Sequence, residues 1–96
     1  MRKNHHNELP IRSKVEMLKD ISLIIQYLHQ GKRAEADLLI SDLKTRSIFF
    51  DGDVQRDVLI FSEQVHFQYD YDPWHKVTPY VQKAADKLIE DLGFNI

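Results

Sequence analysis

Residues 54–74 read VQRDVLIFSEQVHFQYDYDPW, and two periods compete within them. Val54, Val58, Phe61 and Val65 recur at the three- and four-residue steps of one helix face, whereas Val65, Phe67, Tyr69 and Tyr71 alternate with polar residues at the two-residue step of a strand. A lone strand needs a partner that no other segment obviously supplies. The reading is therefore a third helix over 54–66, then an extended acidic-aromatic connection before the last helix.

Outward from this stretch the helical period holds. Toward the N-terminus, Val15, Leu18, Ile21, Ile25 and Leu28 predict a first helix over 14–29, with Ser13 and Glu16 at capping-box spacing and Gly31 as its stop. Ala36, Leu39, Ile40 and Leu43 predict a second helix over 33–45, folded back on the first because the link is short. Asp51-Gly52-Asp53 is turn chemistry, with Asp53 placed to cap the third helix. Pro79 behind Thr78 opens a last helix whose apolar stripe is Val81, Ala84, Ala85, Leu88 and Leu92 and whose end is Gly93. The expected fold is all-α, an antiparallel four-helix bundle over 13–96, preceded by a flexible tail over 1–12. Phe49, Phe50, Phe61 and Phe67 are the large apolar groups expected in its core.

An apolar share of 43% in 96 residues suits one globular domain with a modest core. With no Cys there is no disulfide, thiol nucleophile or thiolate metal site, and no segment has the roughly 18 apolar residues of a membrane span. The N-terminus lacks the apolar region of a secretory leader, so a cytoplasmic protein without membrane association is expected.

Charge is unevenly spread. Residues 1–50 carry nine Lys/Arg against six Asp/Glu, and residues 51–96 carry four against nine, so the halves are +3 and −5. Within 51–72, Asp51, Asp53, Asp57, Glu63, Asp70 and Asp72 face only Arg56. Such a field steers a cationic partner and repels nucleic acid, and the scattered basic residues of the first half form no phosphate-tracking stripe. Tyr69, Tyr71 and Trp74 lie among these acids, and Tyr and Trp are the rings that most often anchor interfaces. The plainer reading of the acids is a solvated helix face with caps, and of the rings a loop packed under the bundle.

Catalytic patterns are weak. The five His lack the spacing that places two rings on one helix face, and Asp70, Asp72 and His75 alone make a poor metal set. Asp51-Gly52-Asp53 departs from a calcium loop, having its glycine in the second position and no closing Glu. The serines fall in no elbow or triad, and three glycines make no phosphate-cradling loop. No enzyme, metal or cofactor is expected.

The run Tyr27-Leu28-His29-Gln30-Gly31-Lys32-Arg33-Ala34, the helix from Glu35 to Leu43, the acid-rich middle and the closing Val81-Gln-Lys-Ala-Ala-Asp-Lys-Leu88 together resemble, by order and pattern over about 30–92, the small helical immunity proteins of bacterial nuclease toxins. The resemblance is particularly to the colicin D immunity type and the immunity partners of contact-dependent growth inhibition toxins. The resemblance implies a bacteriocin-type toxin inhibitor that carries carboxylates into the basic RNA-binding cleft of a cognate nuclease. On that reading Asp51, Asp53, Asp57, Glu63, Asp70 and Asp72 mimic substrate charge, and Tyr69, Tyr71 and Trp74 anchor the contact, in a monomer or weak homodimer. The rival expectation is a helical regulatory module in which the aromatic segment is a dimerisation face.

Overall fold

Four helices carry the chain: α1 (Ile11–Gln30), α2 (Arg33–Ser47), α3 (Gly52–Tyr71) and α4 (Pro79–Asp91). The computed structural model describes residues 11–71 and 77–94, with the backbone alone at 11, 12 and 71, and no strand occurs among them. α2 packs against both α1 and α3, and α4 packs against α3. Contacts between α1 and α2, and between α2 and α3, join the start of one helix to the end of the next. Glu16 of α1 meets Arg46 of α2 at 3.5 Å, far from the Gly31 turn that joins them. Arg33 and Asp37 near the start of α2 reach Tyr69 and His66 near the end of α3.

The helix ends follow from local chemistry. α1 and α4 both close on a glycine in the left-handed region, Gly31 at φ 71° and Gly93 at φ 101°. In each case the glycine N–H donates three residues back and the next N–H donates five back, Lys32 to Tyr27 O and Phe94 to Ile89 O, which satisfies carbonyls the helix leaves open. Pro79 opens α4, as its sequence predicts, and Thr78 Oγ1 accepts from Val81 N at 3.2 Å as the cap. The α3 cap differs from expectation: Asp51, not Asp53, accepts from Val54 N at 3.1 Å, because Gly52 already takes the first helical position. α1 also departs, being helical from Ile11 on, within the segment expected to be tail. Ser13 therefore lies inside the helix rather than at its cap.

These ends make a contrasting pair of predictions. Gly31→Ala is expected to cost about 1 kcal/mol, since a Cβ there meets no atom within 4 Å and only the left-handed backbone resists it. Gly52→Ala, equally uncrowded and in an ordinary helical conformation, is expected to gain about 0.5 kcal/mol. Urea denaturation of both variants checks the sign of each.

One core joins the four helices. Ala36, Ile40 and Leu43 of α2, Val54, Val58, Phe61 and Val65 of α3, and Val81, Ala85, Leu88 and Leu92 are buried in it, as their periods predict. On α1 the buried row is Met17, Ile21, Ile24 and Leu28, with Ile25 at its margin and Val15 exposed. That row is rotated from the expected stripe because α1 is apolar around a wide arc, and its contact with α2 selects the middle.

The largest departure is the end of α3. Its helix runs on through Tyr71 instead of giving way to an extended connection after residue 66 or 67. Tyr69 stands four residues beyond Val65 and is buried in line with it, so the helical row simply continues. Gln68 is buried too, and its Oε1 accepts from Thr78 N at 3.0 Å, tying the start of α4 to the end of α3. Of the four Phe expected inside, Phe61 is fully buried and Phe50 packs at the margin, whereas Phe49 and Phe67 are exposed.

Candidate functional site: the outward face of α3

A helix packed on two sides can bury at most part of its circumference. α3 spends one arc on α2 and α4 through Val54, Asp57, Val58, Phe61, Val65, Gln68 and Tyr69, so the opposite arc faces solvent. Positions 53, 56, 60, 63, 67 and 70 recur on that arc at steps of three and four. It carries Asp53, Glu63 and Asp70, all exposed, over a span of about 25 Å at 1.5 Å per residue.

Large apolar side chains lie between these carboxylates. Leu59 is 55% exposed, Ile60 41% and Phe67 53%. The cation of the arc, Arg56, is turned back on α3 itself, with Nη2 at 3.5 Å from Asp53 and 3.6 Å from Asp57. The arrangement is apolar surface framed by carboxylates, suited to a partner with flat apolar contacts and basic groups around them.

The expected site residues thus divide. Asp53, Glu63 and Asp70 share the outward face, and Asp51 is exposed at its end as the α3 cap. Asp57 and Tyr69 leave it: helix continuation points both inward, Asp57 toward α4 at 2% exposure and Tyr69 toward α2. The side chain of Tyr71 and all of Asp72 and Trp74 lie outside the described residues.

Tyr69 is held in a polar cluster. The Arg33 guanidinium sits 4.5 Å over its ring, and Asp37 reaches Arg33 Nε at 3.9 Å and His66 Nε2 at 3.6 Å. Burial pushes the phenol up to about 12, helped by the Asp37 charge and opposed by Arg33. It is a ring locked between helices, not an anchor on the surface.

Leu59 and Ile60 escaped the sequence reading, although a signal existed. With Val58 and Phe61 both inward, no helix can bury the two residues between them on the same face. Elsewhere an open groove of about 310 Å³ lies at the start of α1 and end of α2, lined by Ser13, Arg46, Phe49 and Phe50. Its guanidinium is already paired with Glu16 at 3.5 Å, which leaves little charge for a ligand. Among the described residues no group of three or more His, Asp or Glu is gathered as a metal site, and no helix is long and apolar enough to cross a membrane.

No protein-family model, curated protein or solved structure matches the chain.

Proposed function

We propose that the chain is a non-enzymatic inhibitor of the immunity type, binding a cognate basic nuclease domain in the cytoplasm through the outward face of α3. The observation that carries this reading is the row of exposed Asp53, Glu63 and Asp70 around exposed Leu59 and Ile60, with the neighbouring Arg56 engaged by acids of α3 itself. A nuclease cleft must attract phosphates, so Lys and Arg line it, and carboxylates held on a rigid helix can take the phosphates' place. The apolar side chains between them supply contact area that charge alone does not.

The rival is a helical regulatory module in which the aromatic segment is a dimerisation face, and the oligomeric state separates the two readings. The test is a nuclease assay with the purified product of the adjacent gene. One equivalent of the protein is expected to abolish cleavage of RNA. Full nuclease activity in excess protein, together with a stable homodimer in light scattering, contradicts the reading.

A further inference from the structure

Positions 59, 63, 66 and 70 recur at steps of four, three and four, so one narrow row of α3 carries Leu59, Glu63, His66 and Asp70. Residues three and four apart on a helix are neighbours, which puts His66 between two of the carboxylates of the outward face. A third carboxylate reaches it from α2, with Asp37 Oδ1 at 3.6 Å from His66 Nε2. That oxygen is buried and has no hydrogen-bond donor among the described residues. The His66 side chain is 47% exposed, so solvent and a docked partner both have access to it.

The remaining neighbours leave the charge of the row to His66. Arg33 of α2 lies 4.5 Å over the Tyr69 ring, with Nε at 3.9 Å from Asp37. Tyr69, whose ring centre is 6.3 Å from the imidazole, keeps its proton throughout the neutral range, since burial pushes the phenol up to about 12. Among the described residues no ion pair reaches His66 from α1 or α4.

Given that the outward face of α3 is the docking surface for a basic partner, we infer that His66 is the pH switch of that surface, open to the partner while the imidazole is neutral and weakened when it is protonated. Imidazole is the side chain whose charge ordinarily changes between about pH 5 and about pH 8. A neutral ring leaves Glu63 and Asp70 unopposed along the row. A protonated one sets a cation between them, and because both of its nitrogens then donate, Asp37 Oδ1 gains the donor it lacks. The imidazolium is thus held from the α2 side while it cancels part of the field that attracts Lys and Arg. Linkage makes the effect reciprocal: a partner that brings cations against this row disfavours the proton on His66.

Calorimetric titration of the adjacent gene's product with the wild type, His66→Gln and His66→Lys, at about pH 7.5 and about pH 5.5, reads the switch. On acidification the wild type is expected to lose about fivefold more affinity than His66→Gln, the partner's own titration being common to both. His66→Lys, a permanent cation, is expected to bind about fivefold more weakly than His66→Gln at either pH. NMR of the wild type needs no variant to fold: the His66 ring signals are expected to titrate at lower pH in the complex than in the free protein. Tight binding with equal pH profiles for the wild type and His66→Gln overturns the switch and leaves the α3 face standing, as does one titration midpoint for the ring free and bound. No binding by the wild type at either pH overturns the switch together with the proposed function.

Discussion

Phe61→Ala is expected to remove about 4 kcal/mol of stability, the largest loss available from one side chain here. Phe61 is the largest of the fully buried side chains, and it sits on the helix that packs against both α2 and α4. Truncation loses the transfer energy of the ring and leaves a cavity between three helices, which a bundle of β-branched and Leu neighbours fills only in part. Against a total of roughly 5–15 kcal/mol for a domain of this size, the variant should melt about 20 °C lower or be largely unfolded at body temperature. Phe67→Ala, six residues on, is expected to cost about 1 kcal/mol or less, because its ring is more than half exposed. Urea denaturation of the two variants separates them. Equal losses contradict the helical phase assigned to α3, since an extended segment after Val65 would bury Phe67 as readily as a helix buries Phe61.

That comparison marks where the fold was legible in the sequence. Val54, Val58, Phe61 and Val65 on α3, and Val81, Ala85, Leu88 and Leu92 at the end of the chain, recur at steps of three and four, and each row is buried as its period requires. α1 was less clear because apolar residues surround it, so several rows fit and only contact with α2 chooses among them. The end of α3 misled for a physical reason. Tyr69 satisfies both the four-residue step from Val65 and the two-residue step from Phe67, and the helix is chosen by long-range contacts: Arg33 over the Tyr69 ring and Gln68 bonded to Thr78. Neither partner is visible from residues 65–71 alone.

The site was legible in the same measure. Asp53, Glu63 and Asp70 keep their outward place, since helical spacing sets it. Asp57 could not be told from them by composition, because a buried carboxyl and a surface one are the same letter. Its inward turn follows from the helical row it shares with the buried Val54, Phe61 and Gln68 at steps of three, four and seven residues. Leu59 and Ile60 are not distinguishable from core residues by type, and only the inward direction of Val58 and Phe61 on either side places them on the exposed face.

Reversing Glu63 and Asp70 to Lys is expected to weaken binding to the basic partner about 100-fold, or about 2.7 kcal/mol, while leaving the fold intact. Both side chains are exposed, and Asp70 lies in the last turn of α3, where a cation suits the helix dipole better than an anion. The bundle should therefore melt within a few degrees of the wild type. Two unlike pairings become like-charge ones across a surface that apolar contact shields from water, so the loss should be large and should shrink as salt is raised. Glu35→Lys with Glu90→Lys gives the matching control, altering net charge equally from exposed positions on α2 and α4. Calorimetric titration of the adjacent gene's product with both double variants measures the claim directly. The account predicts the roughly 100-fold loss for the α3 pair and less than about threefold for the control; equal losses in both, or none in the α3 pair, contradict it.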